Sequence, residues 1–244
     1  EGELVAKHGI AMDQLDFTGL RGKGWRHSLS GAFKLLKSFF ACIAILRRRQ
    51  PDVVLGMGGY VTVPGGVCAA LMGKPLVLMN ADAPLLLSNK SLKMFANKLM
   101  FGLPSSSAMQ DPKFVFTGNP IRKSIVSMEP PEQRYASHQG ALKILVVGGS
   151  LGAQVLNQTV PDALALSPEG ERPVVVHQSG KQQVAALRAR YESHAVQAEV
   201  VDFIDDMPRR YADADVVICR AGAITVSELT AAGVASVLLP LVAS

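Results

Sequence analysis

Aromatic side chains are scarce in this chain, at 6% of 244 residues with a single tryptophan. A basic groove interleaved with stacking rings is therefore missing, and nucleic acid is disfavoured as a partner. Cysteine is equally sparse: Cys42, Cys68 and Cys219 lie far apart, with no C-x-x-C spacing and no Cys/His cluster. That argues against a zinc site and a disulfide framework, and fits a reducing, cytoplasmic setting. Long apolar runs are absent too. The stretch 35–46 is broken by Lys37 and falls short of the roughly 20 residues a membrane-spanning helix needs. Neither an initiator Met nor a signal-peptide pattern opens the chain, and residues 237–241 read as a strand just begun. The sequence is expected to be an internal piece of a longer protein.

What is there is apolar and patterned. Hydrophobic residues make up 48%, enough for real cores and against disorder. Charge is unevenly spread: residues 1–122 hold 15 Lys/Arg against 7 Asp/Glu, and 123–244 hold 10 against 13. A basic first half suits an anionic partner such as membrane headgroups, or is ordinary solubilising charge. Short apolar runs recur at 52–55, 76–79, 98–101, 114–116, 143–147, 173–177, 199–203, 216–219 and 236–239, separated by helical stretches. This rhythm predicts βαβ units and parallel sheets. The fold class is α/β, with two doubly wound, Rossmann-like domains, 1–121 and 142–244, joined by a linker at 122–141 that carries Pro130-Pro131 and no apolar period. Ligands of such pairs bind between them.

Two glycine-rich turns stand out in the second half. Gly148-Gly149-Ser150-Leu151-Gly152-Ala153 follows a buried-strand pattern and precedes a helical one, and Arg220-Ala221-Gly222-Ala223-Ile224-Thr225 repeats the layout. Glycines let the backbone approach an anion, and the N–H groups at the start of the next helix stabilise its charge. Neither turn is a P-loop or a G-x-G-x-x-G fingerprint. One turn alone could be a tight strand-to-helix connection; two in one domain favour a pyrophosphate. Glu228 has two readings. Thr225-x-x-Glu228 is a capping box, or the carboxylate accepts hydrogen bonds from ribose hydroxyls beside the phosphates. A third turn, Gly56-Met57-Gly58-Gly59-Tyr60, lies in the first half. Lys181, Arg209 and Arg210 read as solvated surface charge. Asp213-Ala214-Asp215 invites a metal reading, but helix-end turns already meet a diphosphate's charge without a cation, so no metal is expected. Asp205-Asp206 reads as a helix N-terminus.

Over 25–46 the apolar residues Trp25, Leu29, Phe33, Leu36, Phe39, Phe40, Ile43 and Leu46 follow helical spacing, with Arg21, Lys23 and Arg26 at the leading end. The stripe is either a wholly buried core face or one whose aromatic end sits in a lipid interface.

Six motifs in order, 19–24 (GLRGKG), 52–60 (DVVLGMGGY), 118–122 (GNPIR), 145–153 (LVVGGSLGA), 203–207 (FIDDM) and 220–229 (RAGAITVSEL), resemble the MurG family of bacterial peptidoglycan N-acetylglucosaminyltransferases over essentially the whole chain. The resemblance implies a GT-B-type inverting transferase without a cofactor, acting at the cytoplasmic face of the inner membrane. It would move N-acetylglucosamine from UDP-N-acetylglucosamine to the 4-hydroxyl of undecaprenyl-pyrophosphoryl-muramyl-pentapeptide, a cell-wall precursor. It further implies that Ser150 and the Ala223, Ile224, Thr225 turn hold the diphosphate, Ile204 the uracil through its backbone, Glu228 the ribose and Arg122 the donor. Gly58, Gly59 and Tyr60 would face the acceptor, and Trp25, Leu29, Phe33, Leu36 and Phe39 an anionic membrane surface. The chain departs from the family at Met79-Asn80-Ala81-Asp82, where relatives commonly show His-Glu-Gln-Asn, so Asp82 stands where an asparagine usually contacts substrate. By the same resemblance, flanking segments that include a glycine loop with the general base lie outside this chain, which is expected not to turn over alone. The alternatives are another UDP-sugar enzyme of the same fold, an epimerase or hydrolase, and a non-catalytic membrane-docking scaffold.

Overall fold

The computed structural model describes residue 5 and residues 9–15, 25–104, 111–149 and 152–240, with the backbone alone for 25–35. The chain divides into two compact units, Glu1–Asn119 and Pro120–Ser244.

In the first unit, helix α1 (Trp25–Arg49) precedes β1 (Val54–Gly56), α2 (Thr62–Leu71), β2 (Leu76–Asn80), α3 (Leu87–Leu92), β3 (Lys98–Phe101) and β4 (Phe114–Phe116). The four strands pair in parallel in chain order. Leu76, Leu78, Leu92, Leu99 and Phe101 are completely buried in its core. The β-carbons of successive strand residues point to opposite faces of the sheet, so the leucines at 76 and 78 share one face.

The second unit holds α4 (Lys123–Val126), α5 (Pro131–Ala136), β5 (Lys143–Val147), α6 (Gln154–Ala165), β6 (Val174–Gln178), α7 (Val184–Ser193), β7 (Ala198–Val201), α8 (Met207–Asp213), β8 (Val216–Arg220), α9 (Ala223–Ala232) and β9 (Ala235–Leu239). Its strands run in the order β7-β6-β5-β8-β9, all parallel. A parallel sheet covered by helices on both faces needs apolar residues on both. This explains the unbroken run in β5: Leu145 and Val147 enter one core with Tyr211 and Leu229, while Ile144 and Val146 enter the other with Leu156 and Leu187.

The stretch 122–141, expected as a linker, is built differently. It carries α4 and α5 and belongs to the second unit, whose boundary falls between Asn119 and Pro120. Two residues dock it, and neither makes a period. Ile125 is fully buried among Tyr211, Leu229 and Ala232. Arg134 is 5% exposed, and its guanidinium donates to the backbone carbonyls of Glu129, Tyr211 and Ala232.

Candidate functional site

Parallel pairing brings every strand's carboxyl end to one edge of the second sheet. Chain order reverses about β5, which lies between β6 and β8. Such a switch point opens a crevice between the loops that leave in opposite directions. The register pairs Val147 with Cys219, so the two glycine turns leave the sheet side by side. Residues far apart in sequence thereby line one place, which the sequence motifs alone did not specify.

The first turn is pinned from below. The Gly152 N–H donates to the Gly149 carbonyl at 2.9 Å, and Gln178 Nε2 donates to the same oxygen at 3.4 Å. A β-carbon on Gly148 would lie 2.5 Å from the Ala153 nitrogen. Ser150, the expected diphosphate ligand here, lies outside the described residues.

The second turn removes the capping-box reading of Glu228 and gives its carboxylate a partner that the sequence did not show. Helix α9 begins at Ala223 with Gly222 as N-cap, and no side chain caps it. Thr225 is therefore already inside the first turn, and the capping box does not form. Gly222 offers the N–H groups of Ala223, Ile224 and Thr225 no side-chain acceptor, which leaves the end of the helix suited to an anion. Glu228, 9% exposed, instead accepts a two-pronged bond from Arg122, Nε to Oε1 at 2.9 Å and Nη2 to Oε2 at 3.0 Å. Arg122 directly precedes α4, so the burial of Ile125 sets its position. The Tyr211 phenol lies in the same surroundings: burial first, and then the Glu228 charge, push its pKa up. This pairing was invisible in sequence, because an i to i+106 contact leaves no local signal.

Ile204 follows β7 at the same edge of the sheet. Its side chain is buried in the core with Leu145 and Val147, which leaves only its backbone for a ligand. Asp206 caps α8, its carboxylate accepting from the Arg209 N–H at 3.3 Å. Asp215 is occupied: it accepts from the Lys143 N–H at 2.7 Å and bonds His138 at 2.5 Å. Burial works to raise its pKa, but the bonds from His138 and Lys143 win and hold it low. Asp213 lies 3.8 Å from Arg209. Among the described residues, no group of three His, Cys, Asp or Glu side chains is arranged to hold a metal ion.

Two further histidines among the described residues, His194 and His177, have structural places. His194 bonds Asp162 at 2.9 Å. His177 is completely buried on β6, with Nδ1 bonded to the Tyr191 hydroxyl at 2.9 Å. Burial pushes its pKa down to about 4 from 6.5. The folded state thus prefers neutral imidazole, a preference that is fully present above pH 6.5 and is lost as pH falls towards 4. The shift corresponds to about 3 kcal/mol. Thermal unfolding followed from pH 7 to pH 4 should show that loss, and the paired change His177→Phe with Tyr191→Phe should flatten the slope across this window. An unchanged slope would place the acid sensitivity elsewhere.

In the first unit, Gly58 and Gly59 adopt φ of +85° and +79° in the turn after β1, and Tyr60 is 58% exposed beside them. Asn80 is fully buried and organises the segment that departs from the resembled family: Nδ2 donates to the carbonyls of Asp82 and Pro84, and Oδ1 accepts from the Leu86 N–H at 2.9 Å. Asn89 Nδ2 adds a bond to the Met79 carbonyl at 2.9 Å. The side chain of Asp82 is half-buried on that loop.

Trp25, Leu29 and Phe33 lie on α1, with side chains outside the described set. Further along, Ser38 and Cys42 are buried and Phe39 is half-buried, while Leu36 and Phe40 stand 54% and 66% exposed. A wholly buried core face is therefore excluded for this part of the stripe. No helix among the described residues is long and apolar enough to cross a membrane. Cys42, Cys68 and Cys219 are buried thiols.

The chain matches the models of the glycosyltransferase family 28 N-terminal domain over residues 1–101 and of its C-terminal domain over 143–244. It is 65% identical to a UDP-N-acetylglucosamine--N-acetylmuramyl-(pentapeptide) pyrophosphoryl-undecaprenol N-acetylglucosamine transferase of Herminiimonas arsenicoxydans, and 62% identical to one of Janthinobacterium sp. (strain Marseille). Both alignments take in the whole chain and 68% of the relative. The crystal structure of Acinetobacter baumannii MurG superposes with a TM-score of 0.76 at 33% identity, over 100% of this chain and 68% of that one. A putative UDP-N-acetylglucosamine 2-epimerase of Listeria monocytogenes, 14% identical with a TM-score of 0.66, shares the fold alone. Two parallel α/β units with these matches place the chain in the GT-B class. It belongs to glycosyltransferase family 28, in the family of the UDP-N-acetylglucosamine--N-acetylmuramyl-(pentapeptide) pyrophosphoryl-undecaprenol N-acetylglucosamine transferases.

Proposed function

We propose that this chain supplies the donor-binding and acceptor-side domains of an inverting transferase that moves N-acetylglucosamine from UDP-N-acetylglucosamine to the 4-hydroxyl of a lipid-linked muramyl-pentapeptide. The observation that carries the donor half is the meeting of two glycine turns at the switch point of the second sheet. There Ser150 and the N–H groups of Ala223, Ile224 and Thr225 hold the diphosphate, the Ile204 backbone meets the uracil, and Glu228 accepts from the ribose, with Arg122 beside it. Charge grows on the diphosphate as the acceptor hydroxyl displaces it from the anomeric carbon. Oriented N–H dipoles stabilise that charge without reorganising. The second unit is the nucleotide side, and the first the acceptor side, where Gly58, Gly59, Tyr60 and Asp82 face the muramyl substrate. The general base is not sought among His138, His177 and His194: two are bonded to carboxylates and one is sealed in a core.

Calorimetric titration of the chain with UDP tests this reading. A saturable heat that persists in EDTA supports it; absence of heat, or loss of binding on chelation, counts against it.

The acceptor's lipid calls for a membrane surface, and we place it at the apolar stripe of Trp25, Leu29, Phe33, Leu36 and Phe39, with the basic first half drawing the protein to anionic headgroups at the cytoplasmic face as a peripheral protein. The exposure of Leu36 and Phe40 supports this. Each side chain withdrawn from water contributes about 1.5–3 kcal/mol at full burial. The double change Leu36→Ser with Phe40→Ser should therefore lower co-sedimentation with anionic vesicles at least tenfold, while leaving UDP binding intact. Equal sedimentation of variant and parent would remove the stripe from the membrane reading.

A further inference from the structure

Arg122 stands in the donor site by resemblance, yet the geometry commits it to another side chain. Its Nε and Nη2 both point at Glu228, at 2.9 and 3.0 Å. A guanidinium fork on a carboxylate fixes the plane of both groups, which a single contact cannot do. Glu228 needs such fixing. It sits on α9 with a side chain only 12% exposed, whereas Arg122 is 49% exposed, so the carboxylate is the enclosed partner and the arginine its outer support. A carboxylate has about four acceptor sites, and the fork occupies two. The Tyr211 phenol also bonds this carboxylate, so part of its acceptor capacity remains for the ribose.

We propose that Arg122 is a positioning residue for the ribose: it acts on the nucleotide through Glu228, holding that carboxylate in the orientation in which it meets the ribose hydroxyls. The assignment rests on the reading of Glu228 as the ribose acceptor. It differs from a direct contact between Arg122 and the diphosphate in what each would recognise. A diphosphate contact is blind to the sugar, whereas a fork that aims Glu228 governs discrimination between ribose and 2′-deoxyribose.

The experiment is calorimetry with UDP and 2′-deoxy-UDP on the wild-type chain, Arg122→Ala, Arg122→Lys, Glu228→Gln and the Arg122→Ala/Glu228→Gln double variant. The wild type should prefer UDP by about tenfold, the worth of one well-placed hydrogen bond. In Arg122→Ala the preference should fall below about twofold, with UDP losing several times more affinity than 2′-deoxy-UDP, which has only its 3′-hydroxyl contact to forfeit. Arg122→Lys keeps the charge and the exposed site, and should not restore the preference, since an ammonium cannot form the fork. The double variant should bind no more weakly than Glu228→Gln alone. Equal losses for both nucleotides in Arg122→Ala, or a preference that stays or grows, overturns the assignment while the nucleotide site stands. A wild-type chain that binds neither nucleotide overturns the nucleotide reading and this assignment with it.

Discussion

Gly152→Ala is expected to destabilise the second unit by about 4 kcal/mol and to lower its affinity for UDP more than a hundredfold. A β-carbon at this position would lie 2.0 Å from the Ser179 carbonyl oxygen, and the backbone there has φ of +75°. Both collision partners are main chain, so no rotamer relieves the contact. The left-handed backbone costs about 1–2 kcal/mol for an L-residue, and forced overpacking about 1–3 kcal/mol more. If the loop gives way instead of the unit, the N–H groups of the turn leave the place where a diphosphate would lie, and a hundredfold loss is about 2.7 kcal/mol of binding. Gly149 supplies the comparison. It has φ of +83° but open space around the missing side chain, so Gly149→Ala should cost only about 1–2 kcal/mol. Urea unfolding and UDP titration of both variants check this, and equal behaviour of the two would mean that close approach to Ser179 is not what makes glycine necessary at 152.

Arg134→Ala should cost about 4 kcal/mol of stability in the same unit. The guanidinium is buried and satisfies the Tyr211 carbonyl of α8 and the Ala232 carbonyl that ends α9, as well as Glu129. The last carbonyls of a helix have no partner within it, and a cation there also meets the negative end of the helix dipole. Each bond from a charged donor contributes about 1.5–3 kcal/mol, and truncation leaves the carbonyls enclosed and unpaired. Arg134→Lys should recover only a minor part, because one ammonium on a flexible stem cannot span three divergent acceptors. A shift in the urea midpoint, with UDP affinity unchanged in the folded protein, is the expected pattern. Wild-type stability in Arg134→Ala would show that water replaces the guanidinium freely.

The sheet strands were legible because burial on both faces demands continuous apolar runs, and 143–147 is one on inspection. The glycine turns were legible for a related reason: a chain that must turn sharply beside another backbone has one residue type to use. The linker at 122–141 was not. Its docking depends on Ile125 and Arg134, single residues whose partners lie 77 and 98 positions away in the case of Arg134, and no periodicity announces a contact of that kind. The capping box at Thr225 was a local pattern with a sound local mechanism, yet α9 begins two residues earlier, at Ala223, and tertiary pairing with Arg122 takes the carboxylate. Over 36–46 the hydrophobic spacing predicted a helix correctly, but spacing could not say which apolar residues stay in water; packing of α1 against α2 left Leu36 and Phe40 outside.

By itself, then, the sequence determined the alternation of strands and helices, the places where glycine opens a helix, and the family motifs, because each of these is written in neighbouring residues. Only the tertiary structure decided that β5 lies between β6 and β8, that two turns separated by some seventy residues of sequence share one edge, and that Glu228 is gripped by Arg122. Those outcomes follow from which buried faces find one another, and the free energy of that choice is spread over both cores and belongs to no local stretch of chain.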